Sequence, residues 1–266
     1  MLYQRVITGL LFLPVFYLFA WKLPPSYFTA LVIIAAAAGQ HEFYRMAAAR
    51  GARPLQIPGI ACGALLILDA YRPLLPELGP LFIITMAVLL IMVVRLFSPR
   101  PVEGALEDVA STALGMLYVA VLFAFLVAIR LSADGRQWLV FLFFTIWASD
   151  IGAYSIGIPF GRHRLYEKIS PKKSIEGLGG AVFAAAGMAL ICRIWFMPPV
   201  SAAEVVCVAV VLALVGTVGD LTESMFKRAA KIKDSGVIIP GHGGMLDRMD
   251  SMLFAAPVLY YYIRMR

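Results

Sequence analysis

The feature that most constrains this chain is a succession of nine apolar runs. Most are close to the roughly 20 residues an α-helix needs to cross a bilayer. They cover approximately 6–21, 26–42, 56–72, 78–97, 109–130, 137–158, 175–197, 203–226 and 246–264. Proline punctuates most of the gaps, at Pro24-Pro25, Pro73, Pro76, Pro99, Pro101, Pro159 and Pro198-Pro199, where it ends helices. The run with Asp69 near its end is the weakest. Of 266 residues, 61% are hydrophobic and 15% charged, and mean hydropathy is +0.85. Soluble domains hold about 45–50% apolar and about 25% charged residues. The composition argues against a water-soluble enzyme, a disordered chain and a disulfide-rich secreted scaffold. The expected fold is all-α: a polytopic integral membrane protein with about nine transmembrane helices. It forms a single membrane-embedded domain over 1–266, with spans in 1–130 as scaffold and 137–264 carrying the catalytic motifs. There is no repeat of fixed period, and the longest polar stretch is the loop around 160–176.

The N-terminal MLYQR and its apolar run look like a signal peptide. The run ends in FAWKLPPS, without a small-x-small cleavage site, so it reads as a retained first helix. Cys62, Cys192 and Cys207 lie in apolar runs without CxxC spacing and read as small buried hydrophobes. The three histidines form no HExxH pair, which argues against a zincin-type site. Trp21, Trp138 and Trp195 fit interfacial belts. Asp69, Glu77, Glu103, Glu107, Asp108 and Asp134 read as boundary or loop charges, His163 as a loop residue, and His41, Glu42 and Arg45 as interfacial anchors.

Net charge is +7 and the pI about 9.4. In a soluble protein this would point to nucleic acid. Here it follows from basic residues collecting in cytoplasmic loops, and no nucleic-acid partner is expected. With the N-terminus in the cytoplasm and nine spans, 16 Lys and Arg lie on the cytoplasmic side and 7 on the other. The dense polar motifs then share the cytoplasmic side, within reach of soluble nucleotides.

The strongest segment is 216–251. Read as a helix leaving the membrane, it puts Asp220, Glu223, Ser224, Lys227 and Lys231 on one face, since these are three or four residues apart. Acids at the end of a hydrophobic span are costly unless paired or metal-bound. Asp247 and Asp250 again stand three apart, flanking Arg248. Two helices with such carboxylates can hold one or two hard cations, with phosphates completing the shell of Mg²⁺. Between them lies Pro240-Gly241-His242-Gly243-Gly244. Glycines there allow close backbone approach, and amides ahead of a helix suit an anion. In 147–154, Asp150 is a carboxylate inside an apolar span, with Tyr154 one turn on; such a residue serves function or pairs with a base. In 170–177, Lys172 and Lys173 stand at the mouth of a helix with Ser174 as its N-cap, placed to neutralise phosphate.

Ser224, Lys227-Arg228, Lys233-Asp234, Pro240, Gly241 to Gly244 and Asp247-Arg248-Met249-Asp250 spell S-x-x-K-R-x4-K-D-x-G-x3-P-G-H-G-G-x-x-D-R-x-D. This resembles the signature of the phosphatidate cytidylyltransferase (CDP-diacylglycerol synthase) family, with no departure at a signature position. Segments 147–154 and 170–177 also resemble family motifs, so the likeness covers about 145–252. The resemblance implies that CTP (or dCTP) and phosphatidic acid give CDP-diacylglycerol and pyrophosphate. It implies Mg²⁺ dependence with a second cation, K⁺, and a homodimer in the bacterial cytoplasmic (inner) membrane. Asp220 and Asp247, then Asp250 and Glu223, are the expected metal ligands. Lys227, Arg228, Lys172, Lys173, Lys233 and Arg248 are expected at phosphate groups, with Ser224, Asp150 and Tyr154 lining the same site. Two rivals remain. A CDP-alcohol phosphotransferase begins D-G-x-x-A-R, which is absent here. A secondary transporter also uses intramembrane acids, but such proteins often show repeated halves and midplane sites.

Overall fold

The computed structural model describes residues 14, 16–197, 199–236 and 243–266. After a π-helical turn at Leu18–Lys22, the elements are α1 (Pro25–Ala48), α2 (Gln56–Tyr71), α3 (Gly79–Leu96) and α4 (Ala105–Leu131). Then follow α5 (Gly135–Phe160), β1 (Arg164–Tyr166), β2 (Ser170–Ser174), α6 (Ile175–Phe196), α7 (Ala202–Ala229) and α8 (Leu246–Met265). Helix α4 contains a π-helical stretch at Met116–Val121. The elements fall into two compact units. One comprises residues 1–131 and 229–248, the other 132–228 and 249–266.

Eight of the nine apolar runs coincide with these helices, and the first, 6–21, lies mostly outside the described residues. Five helices among the described residues are both long and apolar enough to cross a membrane: α3, α4, α5, α6 and α7. This establishes an all-α membrane architecture but not the count of nine. Helix α2 has only 16 residues, about 24 Å of rise. Helix α8 carries Asp247, Arg248 and Asp250 in its first turns and Arg264 in its last.

In the first unit, polar side chains of α1 enter slots that glycines leave open. Tyr44 Oη donates to the Thr112 carbonyl at 3.1 Å, and Gln40 Nε2 donates to the Gly59 carbonyl at 3.0 Å. A Cβ at Gly59 would lie 2.2 Å from Tyr44 Oη, and one at Gly115 2.3 Å from the same ring. Leu55, Cys62, Leu66, Ala87, Ile91 and Met116 form an apolar cluster beside this ladder. Two expected boundary charges prove to be buried. Asp108 accepts from Arg95 Nε at 2.9 Å and from the Arg53 amide, and Asp69 accepts from the Leu74 amide at 2.7 Å. Each satisfies a chain reversal beside a helix end, which explains a carboxylate that composition alone assigns to the surface.

In the second unit, α5 and α6 approach at Gly152 and Gly180. A Cβ at Gly152 would lie 2.4 Å from the Gly180 carbonyl, the small-residue contact that lets membrane helices meet backbone to backbone. The expected 160–176 loop is instead a β-hairpin, with Arg164 opposite Ser174 and Tyr166 opposite Ser170. Glu176 fastens its base by accepting from the His163 amide at 3.2 Å and pairing with His163 Nδ1 at 2.7 Å. Trp138 is 1% exposed, packed edge-on against Phe141 and Tyr262, so it is a core residue and not a belt residue. Cys62 and Cys192 are buried as expected, whereas Cys207 is exposed.

Ser174 caps α6 as its sequence position predicts, its Oγ accepting from the Gly177 amide at 3.1 Å. Ser174→Ala is expected to cost about 1 kcal/mol, read as a lowered midpoint in thermal unfolding.

Candidate functional site

The expected site residues fall into two clusters, one in each unit. In the second unit, α7 runs unbroken through Asp220, Glu223, Ser224 and Lys227, so these share a face as the spacing predicts. Lys231 does not join them, because the helix ends at Ala229 and Lys231 adopts a left-handed φ of 57°. Lys173 Nζ meets Asp220 Oδ2 at 2.6 Å, and Lys227 pairs with the fully buried Glu223. Ser224 Oγ donates to Asp220 Oδ1 at 3.4 Å. From α8, Asp250 feels the negative charges of Asp220, Glu223 and Asp150. Its helix approaches closely because position 219 is glycine; a Cβ there would lie 2.5 Å from the Asp250 carbonyl.

Strand geometry separates the two lysines that the sequence treats alike. Adjacent side chains on a strand point to opposite faces. Lys173 therefore turns to Asp220, while Lys172 is exposed. Arg228 is exposed too, its Nε donating to the Ile169 carbonyl in the hairpin turn at 3.3 Å. Asp150 is exposed, and Tyr154 is 71% exposed.

The other cluster belongs to the first unit and is built on the glycine-rich turn. Asp247 Oδ2 accepts from the Ser235 amide and the Ser235 hydroxyl, both at 2.9 Å, and from the Gly244 amide at 2.8 Å. Gly243 has φ +84°, a conformation open to glycine. A Cβ there would also lie 2.8 Å from Asp247 Oδ2. Lys233 and Arg248 are exposed. Pro240, Gly241 and His242 lie outside the described residues.

Glu42 is the residue the sequence reading misplaced. His41 and Arg45 are exposed, but Glu42 is completely buried. Its carboxylate accepts from the Met245 and Leu246 amides, each at 2.9 Å, and from Ser235 Oγ at 3.0 Å. The available signal was an acid at the end of an apolar run, the same signal that singled out Asp220 and Glu223.

Every acid in these clusters is an oxygen donor, the ligand type that a hard divalent cation takes. In the second unit Asp220 and Glu223 each meet a lysine, and Asp250 stands near both acids. As the side chains stand, no three His, Cys, Asp or Glu among the described residues converge as a ready-made metal cage. Mg²⁺ does not require one, because it keeps waters and substrate phosphates and takes only one or two carboxylates.

Comparison with known proteins agrees with the signature. A family model described as the cytidylyltransferase family matches residues 3–266. A phosphatidate cytidylyltransferase of Bacillus subtilis (strain 168) is 32% identical, over 98% of this chain and 97% of its own length. One from Synechocystis is 32% identical over 89% and 88% of the two chains. One from Staphylococcus aureus (strain COL) is 38% identical over 57% of this chain and 58% of its own.

Proposed function

The chain belongs to the cytidylyltransferase family, and from that premise we propose that it joins CTP to phosphatidic acid, giving CDP-diacylglycerol and pyrophosphate. The observation that carries this reading is the near end-to-end match to enzymes named for the reaction, in a chain whose Ser224 to Asp250 signature has no departure.

An oxygen of the lipid phosphate attacks the α-phosphorus of CTP. The bond from that phosphorus to the β-phosphate oxygen breaks, and pyrophosphate leaves with the electron pair. A phosphate monoester has its second pKa near about 6, so the nucleophile is ionised and needs no general base. His242 is therefore assigned as a hydrogen-bond donor. Both reactants are anions, so catalysis rests on positioning and charge neutralisation. Lys173 and Lys227 face the acidic cluster; with Lys172, Arg228, Lys233 and Arg248 they hold triphosphate or lipid phosphate. Backbone amides of Gly241 to Gly244 pack against phosphate. Ser224 Oγ lies 3.4 Å from Asp220 Oδ1, on the same face of α7. Asp220, Glu223, Asp247 and Asp250 are the carboxylates from which Mg²⁺ would take its one or two protein ligands, with K⁺ as a second cation. When bound, Mg²⁺ neutralises phosphate oxygens and stabilises the leaving group.

The finer topology belongs to the same proposal. It has nine spans with the N-terminus inside, supported by 16 basic residues against 7. The active site faces the cytoplasm of a bacterium, in the inner membrane, and the protein is a homodimer.

The test is pyrophosphate release from CTP by detergent-purified protein with phosphatidic acid. The expected result is equal formation of pyrophosphate and CDP-diacylglycerol, stopped by EDTA and restored by Mg²⁺. Turnover without a sealed compartment also separates an enzyme from a transporter. Absence of turnover with phosphatidic acid, from folded protein, overturns the reading.

A further inference from the structure

Glu42 stands on α1, 203 residues before the first amide it binds. The start of a helix leaves backbone amides without partners, and a carboxylate there also favours the helix dipole. Capping alone does not account for this acid. A local Ser, Thr, Asp or Asn does that work on an exposed turn, whereas burying a carboxylate carries a large desolvation penalty. Glu42 does more than cap α8. Both glycines bordering the turn are pressed onto it. A Cβ at Gly236 would lie 2.4 Å from Glu42 Oε1, and one at Gly244 2.5 Å from Oε2. Ser235 Oγ stands between two acids, 3.0 Å from Glu42 Oε2 and 2.9 Å from Asp247 Oδ2. A serine has one hydroxyl proton, so it serves these two oxygens one at a time. When the hydroxyl donates to Glu42 it fixes Ser235 on the buried acid, while the Ser235 amide still donates to Asp247 Oδ2, so the link from Glu42 to Asp247 runs through Ser235.

We infer that Glu42 is a positioning residue for the transferase reaction, a buried post that holds Ser235 and Gly236 at one end of the signature turn and Gly244 to Leu246 at the other, and through which Asp247 is aimed. For its kinetic arm the inference rests on the cytidylyltransferase reading.

The experiment compares wild type with Glu42→Gln, Gly236→Ala and Asp69→Asn in detergent. It measures kcat and KM for CTP and phosphatidic acid, and hydrogen exchange at individual amides. Glu42→Gln keeps the size but turns an amide group toward the donors. Its kcat is expected to fall about 10–100-fold, the range for residues that orient a metal or catalytic ligand. KM should change far less, and the Met245 and Leu246 amides should exchange faster while α2 is unaffected. Gly236→Ala leaves Glu42 its charge but drives a methyl group against Oε1, displacing the turn from the carboxylate, and should reproduce both effects. Combined with Glu42→Gln it should add little, because the two act on one element. Asp69→Asn removes another buried carboxylate of the same unit, bonded to Leu74 and not to the turn; its kcat should stay at the wild-type value. A folded Glu42→Gln protein with wild-type kcat overturns the inference, as does lost kcat without faster exchange at Met245 and Leu246. If Glu42→Gln does not fold, Gly236→Ala decides by the same two readouts. If wild type itself shows no turnover, the functional reading fails, and the exchange rates alone judge whether Glu42 holds the turn.

Discussion

Asp247→Asn is expected to lower kcat by about 10²–10³-fold, the loss typical of removing a preorganised electrostatic group, while leaving the chain folded. The geometry makes this substitution informative. Asp247 Oδ2 accepts from Ser235 N, Ser235 Oγ and Gly244 N. Asparagine can turn its carbonyl oxygen to the same three donors, so the turn keeps its shape. Hydrogen bonds to a charged acceptor contribute about 1.5–3 kcal/mol and neutral ones about 0.5–1.5 kcal/mol, so a modest drop in stability should accompany the change. Asp247→Ala should behave differently, leaving those donors unsatisfied and loosening the turn as well. Steady-state kinetics and thermal unfolding on both variants separate the two effects. A folded Asp247→Asn protein with near-wild-type kcat would mean that Asp247 only organises the turn and that its charge plays no part in the reaction.

Much of the second unit could be read from the sequence. The faces of α7 followed from a period of 3.6, and acids inside apolar runs had to find partners. Asp220 and Glu223 did so, in Lys173 and Lys227. Ser174 was legible as a cap because capping is local. What escaped was decided by tertiary packing. Lys172 and Lys173 looked equivalent until the hairpin placed them on opposite faces of a strand. The 164–174 hairpin itself carries no strong alternation, since its residues are mostly polar and charged. Lys231 left the helical face because α7 stops at Ala229. Asp69, Asp108 and Trp138 were assigned to boundaries by residue type, yet each is buried by a partner far from its immediate neighbours or at a chain reversal. Glu42 is the plainest case. Its partners lie about 200 positions away, and no local pattern can announce them. The span count is harder for another reason. Helices α1, α2 and α8 mix apolar length with internal charge or fall short of the bilayer, so periodicity locates them without saying how they meet the membrane.

Lys227→Met is expected to destabilise the protein by about 3–5 kcal/mol, the cost of leaving one member of a buried ion pair without the other. Glu223 is wholly buried and Lys227 nearly so, one turn apart on α7. Methionine keeps the length of the lysine stem but removes the charge, so the Glu223 carboxylate loses its counter-ion in a low-dielectric setting. Adding Glu223→Gln should recover most of that stability, because a neutral amide beside a thioether is far cheaper to bury than an isolated carboxylate. Activity should not return with it. The folded double variant lacks both a cation that the anionic reactants need and a carboxylate proposed for Mg²⁺, so kcat/KM for CTP should remain at least about 100-fold low, and Glu223→Gln alone, which keeps Lys227, gives the share that belongs to the carboxylate. Thermal unfolding of the two single variants and the double gives the coupling between the residues, and pyrophosphate release gives the chemistry. A double variant that regains both stability and turnover would reduce Lys227 to a structural partner of Glu223 and leave phosphate binding to Lys173 and the exposed bases.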